Sequence, residues 1–118
     1  MTASIENVYE LSPMQQGILL HTLAAPHSGM YFEQFAWTVR GRLDIDALRG
    51  AWQQMIERHA MLRTSYSWED LDKPLQIVHR SVALPITIED WRDRSAAEQE
   101  SAFQAFLAAD RERGFSLG

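Results

Sequence analysis

Without cysteine, a chain must do its chemistry with histidine, carboxylate, hydroxyl or guanidinium groups, and these 118 residues contain no cysteine. That excludes a thiolate nucleophile, a thiolate metal site and a disulfide framework. The four histidines, His21, His27, His59 and His79, include no pair at i, i+4 and no HExxH, so no metal site is expected. A histidine could act as a general acid or base. His59, however, stands at the end of an apolar helical stripe, where it suits the helix dipole and packs with that stripe. Ser12 is placed to cap a helix rather than to attack a substrate, and no G-x-S-x-G surrounds it. Neither GxxxxGK[ST] nor GxGxxG occurs, so nucleotide phosphates have no cradle. The acidic pairs Glu69-Asp70 and Glu89-Asp90 fall in turns or at strand ends, where solvated charge is expected rather than a glycosidase pair. Phe103 and Phe106 read as a helix's core face rather than a partner groove.

The most unusual stretch is Arg58-His59-Ala60-Met61-Leu62-Arg63-Thr64-Ser65-Tyr66, in which two arginines bracket a junction between a helix and a strand. A guanidinium partly buried at a strand start needs a carboxylate or several carbonyl partners. Arg63 is therefore expected to make a structural ion pair, with a partner the sequence does not specify.

The elements that must position these groups alternate between helical and strand periods, which predicts an α+β domain with a mixed sheet and helices packed on it. Ser12-Pro13-Met14-Gln15 opens a helix running to about Leu23: Ser12 caps, Pro13 suits the first helical position, and Gln15 completes a capping box. Gly17 inside that helix is expected to mark close backbone packing or an approaching ligand. From Tyr31, Phe35, Trp37 and Val39 alternate with Gln34, Thr38 and Arg40, predicting a half-buried strand. Near Asp44 a second helix begins, its apolar face formed by Leu48, Ala51, Trp52, Met55 and Ile56, with His59 completing the stripe. Arg63 to Trp68 and Leu75 to His79 predict a hairpin turning through residues 69–73. Leu84, Ile86 and Ile88 predict one more strand, at an edge or strand start because of Pro85. Ser95-Ala96-Ala97-Glu98 is a capping box that opens a last helix, closed by Gly114.

Composition bounds the partners. Eleven basic against sixteen acidic residues give a net charge of −5, which argues against nucleic acid or an anionic membrane, since both reward clustered Lys and Arg. No apolar run approaches the ~18 residues of a membrane span. With Glu6, Glu10 and no basic flank, the first dozen residues are not a secretory signal. A single soluble unit in the cytoplasm is the expectation.

Two runs also carry a family resemblance. Tyr9-Glu10-Leu11-Ser12-Pro13-Met14-Gln15-Gln16-Gly17 resembles the first core motif of condensation domains in nonribosomal peptide synthetases, and the run from Arg58 to Tyr66 resembles the second, usually R-H-E-x-L-R-T-x-F. Gly41-Arg42-Leu43-Asp44 between them, and Arg113-Gly114-Phe115-Ser116-Leu117 near the end (family R-x-F-D-L), are similar too. Departures are Ala60 for Glu, Tyr66 for Phe and Ser116 for Asp, two of which lose a carboxylate. The resemblance implies a chloramphenicol acetyltransferase-like fold of two lobes, several times longer than this chain. It also implies amide formation between a donor thioester and an acceptor amine. Both substrates would arrive on phosphopantetheine arms of carrier proteins, with no ATP, metal or other cofactor bound by the domain itself.

The family's active-site motif is H-H-x-x-x-D-G, and the chain contains neither His-His nor Asp-Gly. The resemblance thus implies that residues 1–118 are the N-terminal portion of a condensation domain, cut before that motif and inactive alone. Carrier-protein domains, the rest of the domain and adjacent synthetase domains would be its partners. Carried over by position, Arg63, Arg58 and His59 support the active site, and Ser12, Gln15, Gly17 and Thr64 are structural motif residues. The resemblance further suggests that the carboxylate facing Arg63 is the Asp of the missing motif. Two alternatives stand beside this reading: a non-catalytic module that docks carrier proteins, or an epimerisation or cyclisation relative. A cut of this kind is expected to leave exposed sheet edges or strands without partners.

Overall fold

The structure, a computed structural model, describes residues 4–118. Along the chain run β1 (Ile5–Glu10), α1 (Pro13–Ala24), α2 (Ile45–Arg58), a 3₁₀ turn (Ala60–Arg63), β2 (Thr64–Ser67), β3 (Leu75–His79) and α3 (Ala96–Arg113). They fall into two compact units, one of residues 4–16, 38–86 and 117–118, the other of residues 17–37 and 87–116. The α+β class is as the alternating periods predicted.

In the first unit the sheet has the order β1-β3-β2. Thr64 faces Val78 and Ser67 faces Leu75, so β2 and β3 form the expected hairpin. Its turn passes through Asp70 at φ 55°, a left-handed conformation that aspartate tolerates better than most residues. β1 pairs with the other side of β3, also antiparallel. The sheet of the described residues is therefore antiparallel throughout, not mixed.

The difference has a physical cause in the two predicted strands that do not form. Residues 32–40 lie in no regular element, and Phe35 and Trp37 stand 74% and 75% exposed. Alternation says only that a face wants covering. It does not provide the neighbouring strand that a ladder requires, and the described residues offer none to this segment. At Leu84 to Ile88 a side chain takes the backbone groups instead. Gln53 of α2 accepts from the Leu84 N–H at 2.8 Å and donates to the Val82 carbonyl at 3.0 Å. Pro85, next in the chain, has no N–H to offer a ladder. β1, by contrast, was not foreseen.

The helices start where the caps placed them. Asp44 Oδ1 accepts from the Ala47 N–H at 3.0 Å to open α2, whose buried residue is Ile56. Leu11 and Val78 join Ile56 in the small apolar core of this unit. Leu48, Trp52 and Met55 of the predicted stripe stay more than one-third exposed, so that stripe is present but mostly uncovered.

In the second unit Ser95 Oγ accepts from the Glu98 N–H at 3.2 Å to open α3, and Gly114 at φ 63° closes it. Gln34 ties the extended segment to that helix, donating to the Leu107 carbonyl at 3.0 Å while its own oxygen accepts from Arg111 at 2.9 Å. Phe32 stacks on Phe115 with centroids 4.7 Å apart. Phe103 and Phe106 are more exposed than a core face would be. No helix among the described residues is long and apolar enough to cross a membrane.

Ahead of α3, Arg92 forks onto Asp90, with Nε 2.9 Å from Oδ1 and Nη2 2.6 Å from Oδ2. The Arg92 side-chain hydrogen bonds, helped by its backbone N–H, pull the Asp90 carboxyl down to about 2. Because the pKa is depressed, the pair's contribution is present above the ordinary carboxylate pKa and is lost as pH falls through about 2. Both groups are exposed, so the contribution to folding is small. In a carbon-detected titration Asp90 is expected to show a midpoint near 2, and Arg92→Ala to return it to about 3.9.

Candidate functional site

The backbone of α2 sets up the site before any side chain does. A helix leaves its last carbonyls without intrahelical partners and carries partial negative charge at that end. α2 stops at Arg58, and His59 caps it through its backbone, its N–H donating to the Met55 carbonyl at 3.0 Å. The 3₁₀ turn then reverses the chain, with the Leu62 N–H donating to the His59 carbonyl, and delivers Arg63 back beneath the helix end.

Arg63 is 7% exposed and is the one buried charged residue among those described. Its Nε donates to the Ile56 carbonyl at 3.0 Å and its Nη2 to the Glu57 carbonyl at 3.4 Å. Its Nη1 donates to the Glu6 carboxylate at 2.7 Å and to the backbone carbonyl of His79. One guanidinium thus binds the last turn of α2, strand β1 and strand β3. The structural ion pair expected of Arg63 is present, and its partner within this chain is Glu6. Lysine could not replicate this arrangement, because the four bonds need a planar fork with donors in fixed directions.

The neighbouring motif residues are ordered around this point. Thr64 opens β2 and its hydroxyl donates to the Ala60 carbonyl at 2.9 Å, closing the 3₁₀ turn. Ser65 Oγ and His79 Nε2 share a hydrogen bond at 2.9 Å across the hairpin. No carboxylate among the described residues holds the other His79 nitrogen, so this pair lacks the third member of a hydrolase triad. Arg58 is exposed and has no ion-pair partner among the described residues. The His59 ring is exposed as well, so its role is that of a cap and not the predicted packing with the apolar stripe.

The first motif forms the predicted capping box. The Gln15 N–H donates to Ser12 Oγ at 3.2 Å, and the Ser12 N–H donates back to Gln15 Oε1 at 2.9 Å. Gln15 also exchanges amide hydrogen bonds with Gln76 on β3 at 3.3 and 3.1 Å, and Gln76 donates to the Glu10 carbonyl at 3.2 Å. The start of α1, the end of β1 and the middle of β3 are held by two facing amides. Gly17 departs from expectation: a Cβ built there meets nothing within 4 Å, so no close packing explains it in this chain.

The sequence pointed to Arg63 but not to Glu6 and His79 as its surroundings, nor to Gln76 as the partner of Gln15. Glu6 lies in a strand whose apolar residues, Ile5 and Val8, are three apart, an odd spacing that hides a strand. Among the described residues no group of three His, Asp or Glu side chains gathers where it could hold a metal ion.

A family model described as the Condensation domain matches residues 5–118. One of the linear gramicidin synthase subunits of Brevibacillus parabrevis is 46% identical over 113 residues, 96% of this chain and 2% of its own length. A mycosubtilin synthase subunit of Bacillus subtilis is 42% identical over 113 residues, again 96% of this chain and 4% of its own. Bacitracin synthase 3 of Bacillus licheniformis is 37% identical over 113 residues, 96% of this chain and 2% of its own length. The chain thus spans a few per cent of each relative it matches.

Arg63→Ala is expected to destabilise the first unit by about 3 kcal/mol in urea denaturation, because it strands three carbonyls and the Glu6 carboxylate. Arg63→Lys is expected to recover less than half of that loss, since one ammonium cannot reach all four acceptors. Gly17→Ala is expected to stabilise the chain by roughly 1 kcal/mol, as helix propensity alone dictates at an open helical site. A destabilised Gly17→Ala protein in thermal melts would reveal a close approach to that position.

Proposed function

The chain belongs to the condensation-domain family over residues 5–118, and on that premise we propose that it forms the opening part of the N-terminal lobe of a nonribosomal peptide synthetase condensation domain. The reaction served is attack of an acceptor amine on a donor acyl thioester, giving an amide and releasing a thiol. Donor and acceptor are carried on phosphopantetheine arms of carrier proteins, and the domain itself requires neither ATP nor a metal. Carrier proteins, the rest of the domain and adjacent synthetase domains are its partners, in the cytoplasm. The supporting observation is the 46% identity to a linear gramicidin synthase across 96% of the chain.

Within that reading the segment's task is architectural. Its 118 residues contain no adjacent histidine pair, so the residue at the centre of the chemistry lies outside them. What these residues contribute is a rigid junction beside it. Arg63 is held by four hydrogen bonds to three elements, and Ser12, Gln15 and Thr64 lock the chain on either side. Arg58 and His59 supply the helix end from which Arg63 is delivered.

A reconstitution with donor- and acceptor-loaded carrier proteins tests this. A protein extended through the adjacent-histidine motif and the second lobe is expected to form the condensed product, and the 118-residue chain is expected to form none. Condensed product from the chain alone, or none from the extended protein, would overturn the proposal. Carrier binding by an extended protein that never condenses would instead mark a docking module.

A further inference from the structure

Glu6 occupies its position because of an irregularity in the sheet. Ile5 faces His79 and Asn7 faces Val78, so β1 takes two steps where β3 takes one, and Glu6 is the extra residue of a β-bulge. In a regular ladder the residue after Ile5 would face Val78, which lies in the apolar core. The bulge hands that place to Asn7 and leaves Glu6 without a ladder partner. Bulges re-aim side chains in this way, and they are enriched beside active sites. Here the freed carboxylate reaches Arg63 Nη1, the same nitrogen that donates to the carbonyl of His79 at the bulged step.

The four acceptors around Arg63 are unequal. Ile56, Glu57 and His79 offer neutral backbone carbonyls fixed by α2 and β3. Glu6 alone is an anion on a side chain, and at 46% exposure it is the member open to solvent. The carbonyls place the guanidinium, while the carboxylate neutralises it and sets the orientation of Nη1. A charge-assisted bond is about twice as strong as a neutral one, so losing it leaves Nη1 to the neutral carbonyl of His79 alone.

We propose that Glu6 is a positioning residue for amide formation, acting through Arg63 and aimed by the β-bulge. This rests on the reading that Arg63 supports the active site of a condensation domain. The test is steady-state amide formation by the complete domain containing these residues, with Glu6→Ala, Glu6→Gln, Arg63→Lys and the double variant Glu6→Ala/Arg63→Lys. Unfolding midpoints are measured alongside, and assays are run well below them.

Glu6→Ala is expected to lower kcat about tenfold with KM unchanged, the low end for loss of a charge-assisted bond at a half-exposed partner. Glu6→Gln, which keeps an acceptor without the charge, is expected to fall between Glu6→Ala and the parent. The double variant is expected to lose less than the product of the two single losses, because both act on one guanidinium. An unchanged kcat in Glu6→Ala, with a reduced kcat in Arg63→Lys, overturns the role of Glu6 and leaves the functional reading standing. An unchanged kcat in Arg63→Lys removes the reading itself, and the proposal with it. Should Glu6→Ala fail to fold, Glu6→Gln decides: kcat equal to the parent's overturns the proposal, and a loss confined to kcat supports it.

Discussion

The first unit depends on one buried cation. The end of α2, strand β1 and strand β3 each have groups that need a partner, and Arg63 meets all three needs at once. The carbonyls of Ile56 and Glu57 are left over by helix geometry, and the partial negative charge there favours a guanidinium beside them. Burying a charge is costly unless it is paired and fully hydrogen-bonded. The apolar core nearby is small, with Leu11, Ile56 and Val78 as its buried members. The polar junction therefore orients elements that apolar packing alone would leave loosely specified.

Glutamine amides stand where a larger sheet would use backbone ladders. Gln15 and Gln76 clasp the start of α1 to β3, and Gln53 holds the Val82 and Leu84 backbone. In the other unit Gln34 bonds to Leu107, Asp110 and Arg111 of α3. An amide carries both donors and an acceptor, so a single side chain can satisfy an N–H and a carbonyl of an extended segment. Phe35 and Trp37 remain stacked on each other and open to solvent in a segment patterned as a strand. An apolar alternation with no strand beside it is a surface awaiting cover.

Much of this was legible in the sequence because local chemistry determined it. Asp44, Ser12 and Ser95 announced helix starts, Gly114 announced a stop, and the hairpin followed from two β-rich runs around an acidic turn. What escaped depended on residues far away in the chain. The bulge after Ile5 brings Ile5 and Val8 onto one face, opposite His79 and Ile77, so β1 lacks the period of two by which strands are recognised. The segments at 31–39 and 84–88 have that period, yet a ladder needs a partner that the pattern cannot supply. Arg63 was identifiable as a charge in need of partners, but Glu6 lies 57 residues away and only the fold brings them together. Gly17 ran the other way: a local rule predicted crowding, and the structure shows open space.

Whether Arg63 holds the helix end and the sheet together is read most directly from the exchange rate of its Nε proton by nitrogen-15 NMR. A guanidinium buried beneath α2 and bonded to Ile56 is expected to exchange at least about tenfold more slowly than that of exposed Arg58, because exchange requires opening of the structure around it. Equal rates for Arg63 and Arg58 would contradict this role, since the cation would then be open to water and could not hold the helix end and the sheet together.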